Sequence, residues 1–265
     1  MIVRDLGDAW QLVAQPDHAD LCGAMMNSWG NDSFERSRAS DSLLLAARRH
    51  DDGWAAWERE PDINRDSRPL GFLEVGIDQH LAFFRAMIVT VADQDPYAGV
   101  LASMHAVGLY TSRYGIDPSP PRVFEGPERT AVDSFVAERN AAHDAEAERL
   151  GIPDSQRWLD YKLLQFADRL SLYLCLSDYE DGTTAELGPV PRSEDPDEDL
   201  ALAVQPAGAW EIGLDPYPFA EAVVEMSLLR TVLPKHAWDS REEFAQAYRL
   251  AGPEPRTLTI RDRGR

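Results

Sequence analysis

The sequence contains few of the features that mark several common classes of protein. Its 265 residues include only two cysteines, Cys22 and Cys175, which lie far apart and outside any C-x-x-C pair. This spacing excludes zinc ribbons and thioredoxin-type chemistry, and we expect both thiols to be reduced. No run reaches the roughly 18 apolar residues that a membrane-spanning helix needs. The amino-terminal segment lacks the charged-then-apolar plan of a signal peptide, so we expect a cytoplasmic protein with no membrane partner.

Positive charge is also scarce. The chain has 26 Lys and Arg residues against 46 Asp and Glu residues, which gives a formal net charge of -20. A surface of this sign repels a phosphate backbone, so we expect no nucleic-acid polymer as a partner. A small anionic substrate is not excluded, because a bound metal ion reverses the local field. We expect a monomer or a homodimer.

Hydrophobic periodicity predicts a chain dominated by helices. A hairpin is expected at 1–14, and apolar residues then recur at helical spacing to about residue 178. The segment 179–200 is acidic and rich in proline, and we interpret it as a loop that could act as a lid. Short apolar runs within 201–261 are expected to form a small sheet with the hairpin. The sequence therefore predicts one mainly α, all-α domain over 1–265, with an HD-like helical core at 15–178 and a small β subdomain from 1–14 and 201–261.

The residues that could carry chemistry are histidines and aspartates on apolar helix faces. An unpartnered imidazole is costly to bury, and for any single histidine the simplest interpretation is a core side chain with one hydrogen bond. The set as a whole indicates more. His50 and Asp51 are adjacent, and neighbours on a helix point about 100° apart, so both can face one point only at a helix end. Imidazole and carboxylate together suit a divalent transition metal.

Asp168 strengthens this interpretation, because it lies in the apolar segment LLQFADRLSLYLC. A carboxylate there must be paired or bind a cation. One candidate partner is an arginine such as Arg169, although Arg169 lies on a different side of the helix. A shared metal would instead provide a partner for several groups at once. We therefore predict a metal site built by His18, His50, Asp51 and Asp168.

At these residues the sequence resembles the HD-domain superfamily of metal-dependent phosphohydrolases, whose pattern is H…HD…D on successive helices. The matching segments are QPDHADL, LLLAARRHDDGW and LLQFADRLSLYL, and the resemblance covers roughly residues 15–178. It implies a helical bundle of the HD type around the metal site. The chain is also similar to a group of uncharacterised bacterial proteins known as a domain of unknown function, and that similarity implies no activity.

Some HD proteins hold two metals and have two further histidines between the HD pair and the last aspartate. His80 and His105 lie in that interval, and their order and spacing resemble the dinuclear phosphodiesterases and the diiron oxygenases. By this resemblance the four residues above would hold one metal, and His80 and His105 would hold the second, with Asp51 bridging. Alternatively, one or both histidines contact substrate, as in mononuclear members. The resemblance implies one or two divalent ions of Fe, Mn, Zn, Co or Ni.

The sequence also departs from the family. Trp54 stands where many members have a lysine that helps to hold an anionic substrate or an oxygen species. Asp52 adjoins the metal residues and is a candidate general acid or base, and we assign it to catalysis together with Asp51. His143 lies on a charged helix and is expected to be solvated, and His236 has no evident partner. The candidates for contact with the substrate are Gln15, Arg49, Trp54 and Arg85.

The resemblance implies hydrolysis of a small phosphoester, such as a nucleotide, by a metal-activated water. The metals would also neutralise charge that develops on the phosphoryl oxygens. Two alternatives remain open. A diiron oxygenase uses the same ligand set for O₂ chemistry. A protein that binds metal or ligand without catalysis is favoured by the tryptophan at the lysine position.

Overall fold

The computed structural model describes residues 1–117, 123–177, 179 and 182–263, which fold into a layer of helices packed on a mixed sheet. The helices are α1 (Gln15–Ser28), α2 (Ser40–Arg49), α3 (Ala55–Glu58), α4 (Ile77–Ala92), α5 (Pro96–Gly108), α6 (Gly126–Leu150), α7 (Asp154–Leu176) and α8 (Arg241–Ala251). The strands are β1 (Ile2–Asp5), β2 (Ala9–Val13), β3 (Ala185–Val190), β4 (Leu200–Gly208), β5 (Glu211–Asp215), β6 (Val223–Pro234) and β7 (Glu254–Asp262).

The strands form one seven-stranded sheet in the order β1-β2-β6-β7-β5-β4-β3. Neighbouring strands are antiparallel except for β5 and β7, which are parallel. Strand β6 joins the two halves, because its first part pairs with β7 and its last part pairs with β2. Exposed and buried side chains alternate along most of its 12 residues, so one face of the sheet is covered by the helices.

The prediction of a mainly α, all-α domain with a small sheet is wrong. The sheet has seven strands, and its residues join the same hydrophobic core as the helices, so the fold is α/β. The short apolar runs indicated strands but not their length, because pairing with distant strands decides how far each one extends. The strand residues that share the helical core include Leu202, Val204, Ile212, Leu214, Leu228, Leu258 and Ile260.

The acidic segment 179–200 is not a continuous loop. Strand β3 lies within it, pairs with β4, and buries Leu187 and Val190. Nη1 of Arg169 donates to the carbonyl oxygen of Gly188 at 2.6 Å, which ties the strand to α7. The glycine and proline of the AELGPV strand obscured its alternation in the sequence. These contacts argue against a mobile lid at 185–190.

The predicted hairpin and the helices that precede residue 178 are confirmed. Helix α1 packs against α2 and α7, and α5 packs against α2, α4, α6 and α7. Helix α5 is buried on all sides from Tyr97 to Gly108, because other helices surround it. None of the described helices is long and apolar enough to cross a membrane.

The turn that follows α2 contacts α4 through a glycine. A Cβ atom on Gly53 would lie 2.1 Å from the carbonyl oxygen of Phe83 and 2.7 Å from its carbonyl carbon. These are backbone atoms of a helix, and they cannot move aside as the end of a flexible side chain can. The close approach therefore fixes the position of the residues just before Gly53.

We expect Gly53→Ala to lower the free energy of unfolding by about 1–3 kcal/mol, because the added methyl group forces the turn away from α4. Urea unfolding followed by circular dichroism measures this loss. The matched control is Gly208→Ala, whose Cβ would meet nothing closer than 3.9 Å. It should change stability by less than about 0.5 kcal/mol. Equal stabilities of the two variants would contradict the close contact.

Candidate metal centre

Four side chains from three helical segments meet in the buried interior, and we refer to them as the His/Asp quartet: His18, His50, Asp51 and Asp168. Nε2 of His18 lies 3.2 Å from Oδ1 of Asp168 and 3.6 Å from Oδ2 of Asp51. Nε2 of His50 lies 3.4 Å from Oδ2 of Asp51 and 3.7 Å from Oδ1 of Asp168. All four side chains are buried. The structure thus brings together the four residues of the predicted first site.

His50 and Asp51 face the same point because α2 ends beside them. His50 caps the helix with φ −60° and ψ −16°, whereas Asp51 has φ −121° and ψ 13° and no longer follows the helix. This break removes the angle of about 100° that separates neighbouring side chains within a helix. The prediction that the pair lies at a helix end is confirmed.

The imidazole of His50 is oriented by its own helix. Its Nδ1 lies 2.9 Å from the carbonyl oxygen of Ala47. Since a carbonyl oxygen only accepts, Nδ1 carries the hydrogen and donates it. Nε2 of His50 is buried, has no hydrogen-bond partner and faces the two carboxylates. It is therefore the atom that a cation in the quartet would bind.

The imidazole of His18 is oriented by Ser171, which the sequence analysis missed. The hydroxyl of Ser171 donates to the backbone carbonyl oxygen of Asp168 at 3.1 Å. Its oxygen is therefore free to accept from Nδ1–H of His18, which leaves the lone pair of Nε2 directed at the carboxylates. Ser171 lies one turn after Asp168 on α7, and this spacing was the only signal of its role.

The charges in the quartet are strongly coupled. Burial alone would lower the pKa of His50, but the carboxylates of Asp51 and Asp168 outweigh it and raise that pKa to about 9. Burial raises the pKa of Asp51. Burial acts in the same direction on Asp168, yet the adjacent imidazoles of His18 and His50 and the charge of Arg113 hold its pKa well below the usual range. A positive charge placed between the two carboxylates would therefore be stabilised by both of them.

The quartet has the spacing of ligands around one metal ion. Metal–ligand distances of about 2.0–2.2 Å place neighbouring ligand atoms about 3.0–3.6 Å apart in tetrahedral or octahedral geometry. The four distances given above run from 3.2 to 3.7 Å. Two imidazoles and two carboxylates are a donor set that suits Fe, Mn, Zn, Co or Ni. The residues present thus fit a divalent transition metal.

The two further histidines differ in their relation to the quartet. The ring of His105 lies 4.6 Å from that of His50, and candidate ligand atoms of His50, Asp51 and His105 lie within 4.8 Å of one another. Nδ1 of His80 instead lies 2.8 Å from the hydroxyl oxygen of Tyr110. Among the residues that the structure describes, the two groups of three close candidate ligands are His18, Cys22 and His50, and His50, Asp51 and His105, so neither contains His80 or Asp168. The dinuclear site stays a prediction, with His105 near the quartet and His80 outside it.

A cavity of about 150 Å³ opens beside the quartet. Its volume is comparable with that of apolar cavities that accept benzene. Among the residues that the structure describes, no lysine or arginine lines it. The polar part of the wall comes from the quartet residues His18, Asp51 and Asp168 and from Gln15, His80 and His105. The rest of the wall is formed by Trp54, Phe72, Leu73, Phe84, Leu109, Tyr110, Phe124 and Leu172.

The remaining candidate residues divide into two groups. Gln15 and Trp54 are buried and line the cavity. Asp52 lies outside the lining and pairs with Nη1 of Arg49 at 3.2 Å. Arg85 pairs with Glu138 on the surface, where both side chains are more than 40% exposed. The structure therefore does not bring Asp52, Arg49 or Arg85 to the cavity.

Two histidines lie away from this site. His143 was expected to be solvated, but it is buried, and its Nδ1 lies 3.2 Å from Oγ of Ser103. Burial lowers its pKa to about 4, so the neutral imidazole serves as a core residue between α5 and α6. The charged character of α6 concealed its inward face, which also carries Val132, Phe135 and Ala147. The ring of His236 stacks against Trp238 at 3.9 Å between centroids.

The arginine that pairs with Asp168 is Arg113. Its Nη2 lies 3.0 Å from Oδ2 of Asp168. The sequence suggested Arg169 as a candidate, but that side chain donates to the carbonyl oxygen of Gly188. The two partners are 55 positions apart, and no local pattern links them. Only the rule that a buried carboxylate needs a cation could have prompted a search for this arginine.

Comparison with known proteins identifies one family. The family model described as "Protein of unknown function (DUF3891)" matches residues 1–235. No curated protein and no solved structure matches the chain.

We expect the purified chain to contain tightly bound divalent metal, and His50→Ala to lose it, because the variant removes one of four ligands and leaves two buried carboxylates. Elemental analysis by ICP-MS of protein prepared without chelator or nickel affinity resin measures the content. The matched control is Cys22→Ser. Cys22 lies within ligand distance of His18 and His50 and is itself a candidate ligand, so a second control is Cys175→Ser, a buried thiol that belongs to neither group of close candidate ligands among the described residues. Equal loss of metal in His50→Ala and Cys175→Ser, or a metal-free wild type after reconstitution, would contradict the site.

We expect Ser171→Ala to weaken metal binding by about 10–100-fold, since Nδ1–H of His18 loses the acceptor that fixes its ring. Competition with a chromogenic chelator measures the dissociation constant. The control is Ser42→Ala, which removes a hydroxyl that donates to Asp95 at 2.8 Å at a site outside the cavity lining. An unchanged dissociation constant for Ser171→Ala would show that Ser171 does not orient His18.

Proposed function

The chain belongs to the DUF3891 family of proteins of unknown function, and from that premise we propose that it is a metal-dependent hydrolase of a small phosphoester whose organic group is apolar. One observation carries the proposal: a buried quartet with the spacing of metal ligands opens into a small apolar cavity. An HD-type origin of the site is part of the same proposal. It is supported by the order His18, His50-Asp51, Asp168 along α1, α2 and α7.

A divalent metal, when bound, supplies Lewis-acid polarisation of a phosphoryl oxygen and lowers the pKa of a water ligand from about 15.7 toward about 7. The residues of the quartet provide the negative charge that balances the charge of the metal ion. Two neutral imidazoles and two carboxylates balance a divalent cation formally. The orientation of His18 by Ser171 and of His50 by Ala47 keeps both Nε2 atoms directed inward before any ligand binds.

A proton must also reach the oxygen of the leaving group. His80 and Tyr110 both line the cavity, and Nδ1 of His80 lies 2.8 Å from the hydroxyl oxygen of Tyr110. This pair is the proposed proton donor, because it lies in the wall of the cavity rather than in the quartet. Asp52, the candidate from the sequence, is less suited to the role, since it pairs with Arg49 outside the lining.

The wall of the cavity narrows the class of substrate. A nucleotide presents a polar sugar and a charged phosphate, whereas the part of the wall that the structure describes presents Trp54, Phe84 and Leu172 and no lysine or arginine. An aromatic or short aliphatic group fits such a wall, while the phosphoryl group would lie at the quartet. Trp54 fills the position of the family lysine with a buried apolar surface, which supports the same conclusion.

A diiron oxygenase is the second candidate, and one specific observation favours it. Candidate ligand atoms of His105, His50 and Asp51 lie within 4.8 Å of one another, so these residues would be available to hold a second iron. An apolar cavity would also suit an organic substrate of an oxygenase. Protein purified from iron-supplemented cells would then be coloured and would consume O₂ with substrate. A colourless zinc or manganese protein that hydrolyses phosphoesters would exclude this candidate.

We expect the metal-loaded chain to hydrolyse phenyl phosphate faster than adenosine monophosphate, because the phenyl group fits the apolar cavity. Release of inorganic phosphate after reconstitution with Mn, Co, Zn or Fe(II) measures the turnover. His50→Ala should reduce the activity to that of buffer. The control is Arg85→Ala, since Arg85 pairs with Glu138 on the surface and should not affect activity.

Failure of phosphoester turnover in every metal form would overturn the proposed activity. Preferred turnover of the nucleotide would overturn the substrate class alone. A chain that binds metal but turns over neither phosphoesters nor O₂ would be a non-catalytic metal-binding protein.

A further inference from the structure

The two carboxylate oxygens of Asp168 have different partners. Oδ1 faces Nε2 of His18 at 3.2 Å, while Oδ2 lies 3.0 Å from Nη2 of Arg113. The side chain of Arg113 is 11% exposed and does not line the cavity. Arg113 therefore cannot contact a substrate there, and any effect it has on the quartet passes through Asp168.

The backbone that carries Arg113 is strained. Left-handed backbone is unfavourable for residues with a side chain, and a run of them persists only where the surrounding structure enforces it. The turn is closed by the amide of Arg113, which donates to the carbonyl oxygen of Gly108 at 2.7 Å, and by the amide of Asp117, which donates to that of Ser112 at 3.0 Å. The φ angles are 48° at Ser112, 53° at Arg113, 60° at Tyr114 and 81° at Gly115.

Contacts with α5 and α7 hold this left-handed turn in place. The ring of Tyr114 lies 5.3 Å from those of Trp158 and Tyr161. A Cβ atom on Gly108 would lie 2.1 Å from the hydroxyl oxygen of Tyr161 and 3.6 Å from Cα of Arg113. Glycine at 108 therefore makes room for the Tyr161 hydroxyl of α7 against α5, while the turn lies at ordinary van der Waals distance. The fold maintains a costly backbone whose side chain ends on Asp168.

We infer that Arg113 is a positioning residue that reserves Oδ2 of Asp168 and presents Oδ1 alone to the metal. The inference rests on the proposed metal site. Nη2 of Arg113 makes one charge-assisted hydrogen bond to Oδ2 of Asp168, and its Nε lies 3.7 Å from Oδ2 of Asp117, so the planar guanidinium is held between the two carboxylates. Without it, Oδ2 is free to bind the same ion. The carboxylate would then occupy a coordination position that a substrate needs.

The experiment compares Arg113→Met with wild type in titrations with Co²⁺ alone, followed by visible absorption. The expected result is binding weakened by about 10–100-fold. The absorption of the saturated variant should also be weaker, because a second carboxylate oxygen raises the coordination number of the ion. Guanidinium ion at millimolar concentration should restore the wild-type spectrum by occupying the vacated space.

The matched control is Arg157→Met, because its side chain is 12% exposed and pairs with Asp144 and Asp154 away from the quartet. It should retain the wild-type affinity and spectrum. Arg113→Lys keeps the charge but not the planar fork, so its spectrum should also change. This variant carries the test if Arg113→Met does not fold, as judged by circular dichroism.

The outcomes separate the inference from the function on which it rests. A wild type that binds Co²⁺, together with Arg113 variants of unchanged affinity and spectrum, would overturn the positioning role and leave the metal site intact. A wild type that binds no Co²⁺ would overturn the metal site and the inference with it. Weaker binding without a change in spectrum and without rescue would indicate charge balance alone, and would also overturn the inference.

Discussion

Asp51 and Asp168 place two carboxylates in the interior, and the surrounding structure compensates their charge. Uncompensated charges at this depth are costly, so neighbouring imidazole and guanidinium groups lie beside the two carboxylates. His18 and His50 direct their Nε2 atoms at the carboxylates. Arg113 neutralises the outer oxygen of Asp168. The space between the four side chains has the dimensions and charge of a cation site, which is why the proposed function begins there.

The sheet contributes to this centre indirectly. Helix α1, which carries His18, packs on β6, and α7, which carries Asp168, packs on β1 and β3. Because β6 pairs with both halves of the sheet, the supports of α1 and α7 belong to one hydrogen-bonded surface. The relative position of His18 and Asp168 is thus set by the direct packing of α1 on α7, and the sheet supports both helices.

Local patterns predicted much of this arrangement and missed its long-range part. Helical spacing located α1, α2 and α7, and the adjacency of His50 and Asp51 predicted a helix end. The size of the sheet could not be predicted, since strand length depends on partners distant in sequence. Arg113 was missed for the same reason, because its side chain reaches Asp168 from a left-handed turn that no composition signal marks. The cavity wall also depends on packing between separate helices, so its apolar character could be known only from the structure.

The separation of the quartet along the chain has a consequence for the order of folding. His18 and the serine that orients it, Ser171, are 153 positions apart. Closing a loop of this length costs chain entropy before the contact is made, so we expect the quartet to assemble late. A nascent chain that has emerged only through the turn after α2 holds His18, His50 and Asp51 but lacks Asp168. An ion that requires all four ligands would therefore bind the native state and not its precursors. Its binding free energy would stabilise only the fully folded chain.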